Sequence, residues 1–499
     1  MRYLVTAVVA TALLAGCASF GDKTLVMPKG KLRDAGDLAA TQTLSAAQVD
    51  ASAWPARQWW HQFNDPALDT LIADALKDNP TLDLAAARLR RAEALATTAH
   101  IPLVPLFSLK GDSTYQRFSE NFYIPPPFGG SWWWQNQGQI TGTFDTDFRG
   151  KNRAAYEAAV GQARAAAVDT LSAELTLTTS LTRGYIALAR ASDQLDLAQQ
   201  TLDARQKVLQ LARDRVSAGL DSQVDLKQVE ATIPAAREQI AVWQETLTLT
   251  RNQLAALSGR GPDAGATIPR PRSMTISSRG ILPSAIPAEL LGRRPDVIAQ
   301  RLRVEAALRD VAAGEAAFYP NIDLNLFAGL QSLGFTNFIG GDSFTAGIGP
   351  AFTLPFFGSG RLRADLKARS ADTDAAIANY RQAMITGLQE IADELASLKS
   401  VAAQSTEQVA AVTVLQQAYD LTVLRYKEGL GTYIQVLTAE TQLLAQKSLA
   451  ADLRARDLDL AVAVVRSLGG GFETLSDGTR LAALMPPAAT RVSFRGVQP

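Results

Sequence analysis

The feature of this chain that most restricts its fold is an internal duplication with a period of about 210 residues. Phe144, Phe148, Gly150 and Arg153 form the pattern F-x3-F-x-G-x2-R, which returns at Phe352, Phe356, Gly358 and Arg361. Leu211, Arg215, Gly219 and Leu220 return as Leu421, Arg425, Gly429 and Leu430, then Glu230 as Glu440 and Gly259 as Gly469. The offset drifts from 208 to 210 residues over this stretch, so the copies share a fold and not merely a composition. Solenoid repeats are far shorter, roughly 20–50 residues. The chain is a duplicated domain, and two fused copies point to an assembly with pseudo-symmetry.

The charge balance removes one class of partner. Lysine plus arginine number 49, as do aspartate plus glutamate, so no basic excess marks a nucleic-acid binder. Outside the N-terminus there is no apolar run of the roughly 18 residues that a helical membrane span needs. Mean hydropathy is neutral, which leaves room for a β-barrel, whose alternating strands barely register on such an average.

The N-terminus reads as a targeting segment. Arg2 supplies the positive end, residues 3–14 the apolar stretch, and Leu14-Ala15-Gly16-Cys17 a cleavage region similar to the bacterial lipobox. The expectation is a signal peptide over 1–16 and a covalent lipid on Cys17. As the only cysteine, Cys17 has no partner for an intrachain disulfide. Residue 18 is alanine; the aspartate that holds such lipoproteins in the inner membrane is absent, which favours the outer membrane.

Periodicity divides the rest of the chain. Trp54, Trp59, Trp60 and Phe63 precede a helical stripe of Leu68, Leu71, Ile72, Ala75 and Leu76, and a second helix runs from Pro80 to about Pro102. The period then changes to two. Gln137 to Phe148 alternates polar residues with Ile140, Phe144 and Phe148, and residues 106–118 make a partner strand across a loop holding Pro125–Pro127 and Trp132–Trp134. The second copy repeats this in Asn321–Leu330 and Ser343–Phe356. Four strands cannot close a barrel with an open lumen; several chains together could.

Behind each hairpin the pattern predicts a long helix. Leu181, Leu188, Leu195, Leu202, Leu209 and Val216 recur every seven residues, and Ile391, Leu395, Leu398, Ala402, Val409 and Val412 form the second stripe. A helix over 151–217 would be on the order of 100 Å long. Gly219 and Gly429 end these helices at equivalent places, as left-handed caps do, and helical pattern resumes at once. Each repeat is therefore a strand hairpin plus a long helical hairpin.

These residues carry a resemblance. W-x4-WW-x2-F-x-D at Trp54–Asp65, DFRGKNR at Asp147–Arg153, RDRVSAGLDSQVDL at Arg213–Leu226 and LPSAIPAELLGRRPDV at Leu282–Val297 resemble segments of the outer-membrane efflux factors, the TolC-like channels. AAFYPNIDL at Ala316–Leu324, LPFFGSGRLRA at Leu354–Ala364, RYKEGLGTYIQVL at Arg425–Leu437 and SLGGG at Ser467–Gly471 continue it in order. Within that family the chain is similar to the NodT-like lipoprotein branch.

The resemblance implies a mainly α protein with a β-barrel portion: a homotrimer whose chains each give four strands to a 12-stranded outer-membrane β-barrel and their helices to a periplasmic α-helical tunnel. It implies repeats at 61–260 and 286–470, a lipidated N-terminal segment and belt region at 17–60, a linker and belt at 261–285, and a tail at 471–499. The implied partners are a periplasmic adaptor, or membrane fusion protein, an inner-membrane efflux transporter and outer-membrane lipid, with no nucleic acid. The implied function is the exit duct of a tripartite pump, carrying small molecules such as drugs or metal ions. No cofactor is expected apart from the lipid.

Site residues come from the same match. Asp225 and Tyr426 correspond to an aspartate and tyrosine that latch the two helical hairpins where the tunnel closes. Gln435 and Thr438 stand where relatives carry two aspartates that ring the aperture, and Gly431 stands where some carry arginine, so acidic selectivity at the tip would rest on Asp221 and Asp225. The turns Gly219-Leu220 and Gly429-Leu430 match those that meet the adaptor. Arg149 departs from the family in replacing an aromatic residue. Two histidines, His61 and His100, without metal-ligand spacing or a nucleophile motif argue against an enzyme. On sequence alone, a protein-secretion duct or a non-conducting lipid-anchored coiled coil stays open as an alternative.

Overall fold

The computed structural model describes residues 28–30, 55–121, 124–271, 274, 292–353 and 359–472. Cys17 and the signal peptide, Trp54, Phe356 and Gly358 lie outside these, as does most of the expected belt.

The elements repeat as the duplication requires. After a 3₁₀ turn at Trp59–Phe63 come α1 (Pro66–Lys77), α2 (Pro80–His100), β1 (Leu106–Arg117), β2 (Trp132–Asp145), α3 (Lys151–Ser217) and α4 (Gln223–Leu257). The second copy is α5 (Pro295–Ala316), β3 (Asn321–Leu333), β4 (Phe344–Thr353), α6 (Ser359–Lys427) and α7 (Tyr433–Ser467). The long helices have 67 and 69 residues and each return helix has 35. Helix α3 is the spine, packing against α2, α4, α5 and α7.

The main core sits where the N-terminal motif meets that spine. Trp59, Trp60 and Phe63, with Leu68 and Ile72 from α1, pack on Leu181, Tyr185 and Leu188 of α3 and Val462 and Val465 of α7. Burying each large apolar side chain contributes about 2–3 kcal/mol. Asp65 caps α1 by accepting from the Ala67 N–H at 2.9 Å and also accepts the Tyr185 hydroxyl at 3.0 Å. The W-W-F-D motif is thus a clamp of the N-terminal segment onto the first repeat. The heptad stripe divides along its length: Leu181 and Leu188 are fully buried, whereas Leu202, Leu209 and Val216 are only half-buried in the single chain.

The four strands form one antiparallel sheet in the order β1-β2-β3-β4, with β1 and β4 at open edges. Register places Leu109, Ile140, Ala328 and Ala346 in one row, and Gly142, Leu326 and Ile348 with Phe107 in the next. The opposite face carries Lys110, Gln139 and Thr345, with Ser108 and Thr141 below. Alternation has produced a mainly apolar and a mainly polar face, with Phe327 in the polar row of Ser108 and Thr141.

Two strand boundaries differ from the sequence expectation. Trp132–Trp134 belong to β2, not to a loop, with Trp132 and Trp134 on the apolar face and Trp133 on the other. At its far end β2 stops at Asp145, short of Phe148, because the carboxylates there serve the next helix. Asp147, at φ 47°, accepts the N–H groups of Asn152 and Arg153 at 2.8 Å each. These are donors that a helix start leaves without intrahelical partners. Arg149 lies over the Tyr319 ring at 4.0 Å, so the departure at 149 is answered by a cation–π contact to the other repeat.

Candidate functional site

Each helical hairpin turns through the same device. The Leu220 N–H donates to the Arg215 carbonyl at 2.9 Å and Gly219 to Val216 at 3.0 Å; Leu430 donates to Arg425 at 2.8 Å and Gly429 to Tyr426 at 3.1 Å. Gly219 and Gly429 have φ of 72° and 77°, the left-handed geometry that glycine adopts without a Cβ penalty. The return helices then open with capping boxes, Ser222 with Asp225 and Thr432 with Gln435. Leu220 and Leu430 are left 65% and 70% exposed, one turn from exposed Val224 and Ile434.

Between the tips lies a small core of Ala212, Val229, Tyr426, Tyr433 and Val436. A charged cluster covers it. Arg215 donates through Nε and Nη2 to both oxygens of Asp221 at 2.9 and 3.0 Å, and through Nη1 to the Tyr426 carbonyl at 3.0 Å. The Tyr426 hydroxyl donates to Asp221 Oδ2 at 2.7 Å. The guanidinium also stands 4.8 Å from the centre of the Tyr426 ring. The side chains of Arg215 and Asp221 are only 10% and 13% exposed, so this bidentate pair is better shielded from solvent than an ordinary surface ion pair.

The electrostatics fit that arrangement. The hydrogen bonds from Arg215, helped by Tyr426, hold the Asp221 carboxyl below its ordinary value, and burial followed by the bond to Asp221 pushes the Tyr426 phenol up. At neutral pH the aspartate is therefore the charged acceptor and the tyrosine the neutral donor.

A second tie lies further along the helices. Arg205 on α3 meets both oxygens of Glu440 on α7 at 3.3 and 3.2 Å and donates to the Thr232 carbonyl at 3.1 Å. Burial raises the Glu440 carboxyl, with Arg205 opposing. The equivalent Glu230 instead pairs with Lys227 on its own helix.

The expected Asp225–Tyr426 pairing is corrected here. Within the chain, Asp225 turns to its own helix start, where its Oδ2 accepts the Ser222 N–H at 3.0 Å and hydroxyl at 2.6 Å. The tyrosine meets Asp221 instead, because Asp221 precedes the N-cap and projects from the turn, whereas Asp225 is the third residue of the helix and completes the capping box. Asp221's charge is committed to Arg215. Gln435 accepts the Thr432 N–H at 3.2 Å and Thr438 donates to the Ile434 carbonyl at 2.8 Å, both residues being exposed. Arg215, Arg205, Glu440 and Tyr433 carried no role in the sequence reading. The S-x-x-D spacing of Ser222 and Asp225 was the signal that Asp225 is a cap.

Comparison with known proteins agrees with this architecture. The family model described as "Outer membrane efflux protein" matches residues 71–260 and 286–470, more than half of the chain. The chain is 39% identical over 372 residues to the fusaric acid resistance protein FusA of Burkholderia cepacia, covering 74% of this chain and 69% of that protein. It is 30% identical over 476 residues to the multidrug resistance outer membrane protein MdtP of Escherichia coli K12, covering 92% and 96%. Among solved structures, the outer membrane protein VceC of Vibrio cholerae superposes with a TM-score of 0.79 at 33% identity, over 84% of this chain and 100% of that one. The CmeC outer membrane channel of Campylobacter jejuni gives a TM-score of 0.83 at 20% identity, over 92% and 98%, a likeness of fold. With the duplicated strand and helical hairpins in register throughout, the chain belongs to the outer membrane efflux protein family and is an outer-membrane exit duct of efflux pumps, its helices forming a tunnel beneath a barrel portion.

Proposed function

We propose that three copies of this chain close one 12-stranded barrel and one periplasmic tunnel, and that the Arg215–Asp221–Tyr426 cluster latches the tunnel's narrow end. The open edges of the sheet carry this reading. β1 and β4 each present a row of unpaired backbone groups, which lipid cannot satisfy and a neighbouring chain can. The polar face then lines water and the apolar face meets hydrocarbon. Cys17 carries the lipid, a supplementary anchor to a barrel that holds the protein by itself.

The exposed Leu220-Val224 and Leu430-Ile434 pairs, repeated at both tips, support docking of a periplasmic adaptor there, with an inner-membrane transporter behind it. The relatives named for fusaric acid and multidrug resistance support small organic molecules as cargo. The role is transport, not catalysis. The test is the mass of the detergent-solubilised protein followed by its conductance in planar bilayers. A trimer that conducts is expected; a monodisperse monomer with intact strand content, or a trimer that never conducts, overturns the reading.

A further inference from the structure

At the end of the sheet away from the helices, the loop joining β3 to β4 does not stand up into solvent. It folds back over the apolar face. The Gly334 N–H donates to the Trp134 carbonyl at 2.7 Å, and the Phe335 ring stands 5.5 Å from that of Trp134. Phe338 lies so close over β2 that a Cβ built on Gly138 would be 3.3 Å from its Cζ. The loop is held in shape by Ser343, whose hydroxyl donates to the Asn337 carbonyl at 2.6 Å.

Beneath it is a polar cluster on a face that is otherwise apolar. Asn136 shares that face with Gly138 and Ile140 yet is only 2% exposed. Its Oδ1 accepts the Ser113 hydroxyl at 2.6 Å and its Nδ2 donates to the Gly334 carbonyl at 2.9 Å, an oxygen that also accepts the Ser332 hydroxyl at 2.8 Å. A polar group facing hydrocarbon is costly unless it is satisfied internally. The loop backbone provides that satisfaction and covers the cluster.

The loop's outer surface is the reverse of what a water-facing turn carries. Ile339 is 90% exposed and Phe335 62%. They continue a band in which Tyr115 stacks on Trp132 at 5.4 Å and approaches Trp134 at 5.3 Å. The loop joins β3 to the edge strand β4, but its aromatic side chains pack back over β2, an interior strand, at Trp134 and Gly138, away from the β4 edge at which a neighbouring chain would pair.

The structure assigns the β3–β4 loop, residues 334–343, as an outer-leaflet anchor: it seals the Ser113–Asn136–Ser332 cluster and inserts Phe335 and Ile339 at the boundary between headgroups and acyl chains. The occupant is lipid, in continuity with the apolar band of the sheet. The assignment rests on that face meeting the membrane.

The experiment places a spin label at Ile339→Cys in a Cys17→Ser chain exported by an ordinary cleavable leader and reconstituted into phospholipid vesicles. Leu109→Cys, on the apolar face of β1, and Glu120→Cys, in the β1–β2 connection, serve as references. Accessibility to oxygen, relative to a water-soluble nickel complex, is expected to be several-fold higher at Ile339 than at Glu120 and to approach that at Leu109. A water-like ratio at Ile339 with a lipid-like ratio at Leu109 overturns the anchor alone. Water-like ratios at both overturn it together with the lipid-facing assignment of the sheet.

Discussion

The two hairpin tips have the same backbone and different chemistry. Both close with a left-handed glycine, both return an N–H to the carbonyl five residues back, and both restart with a capping box. Among the positions that differ between them, three carry the contrast: Val216 against Tyr426, Asp221 against Gly431, and Asp225 against Gln435. The first tip holds a carboxylate where the second holds glycine, and the second holds a phenol where the first holds valine. Each half of the proposed latch therefore sits on a different copy. Duplication supplied a repeated geometry; divergence at a few positions made the two ends complementary. The same holds one level up, where Glu440 crosses to Arg205 while Glu230 stays with Lys227 on its own helix.

The most damaging way to erase the difference is Asp221→Gly, which makes the first tip like the second. It leaves the shielded Arg215 guanidinium without its carboxylate, at a cost of about 2–3 kcal/mol, between exposed and fully buried pairs. Bilayer conductance should rise by the largest amount of any single change at the tips. Acid should act in the same direction. Because the Asp221 carboxyl is held below its ordinary value of 3.8, its contribution is complete above that pH and is lost as pH falls through the lowered value. The part of the wild-type conductance that depends on Asp221 should be flat across neutral pH and change only in strong acid, and the Asp221→Gly channel should lose that part of the acid response.

Tyr426→Phe should have a smaller effect. The ring and its packing stay, the backbone bond to Arg215 stays, and Asp221 keeps its two bonds to Arg215, so the single hydrogen bond lost costs about 1.5 kcal/mol, the low end for a bond to a charged group. Conductance should rise less than for Asp221→Gly. Smallest of all is the reverse exchange, Gly431→Asp. Arg425 is exposed and already donates to the Leu430 carbonyl at 3.2 Å, so a new ion pair there is worth at most about 1 kcal/mol. Conductance should stay at the wild-type level; a marked change would show that the second tip is as sensitive to charge as the first.

Much of this architecture was legible in the residues themselves. The predicted 151–217 helix is α3, and alternation in Gln137–Phe148, of which β2 takes the part up to Asp145, and in Asn321–Leu330 assigned the faces of the sheet. Periodicity reports which face of an element is apolar, and that is a local property. The latch partner was not legible in the same way. Asp221 and Asp225 are four residues apart on either side of a helix start, and which one reaches Tyr426 depends on the turn and on the competing capping bond to Ser222. The β2 boundary was obscured because Pro125–Pro127 and the following Gly129-Gly130 made the stretch up to Trp134 look like loop. The second tie was missed because Arg205 and Glu440 are 235 residues apart in sequence, and only the packing of α3 against α7 brings them together.

Asp221, not Asp225, joins the two tips through Tyr426 within the chain, and the proposed latch depends on that pairing. The most direct measurement is single-channel conductance of wild type, Asp221→Gly, Tyr426→Phe, their double variant and Asp225→Ala under identical conditions. Increases are expected for both single changes, with a double variant that adds little to Asp221→Gly, as coupled residues do. Wild-type conductance is expected for Asp225→Ala, which loses only a helix cap of about 1 kcal/mol. Conductance that rises for Asp225→Ala and stays unchanged for Asp221→Gly would contradict the pairing.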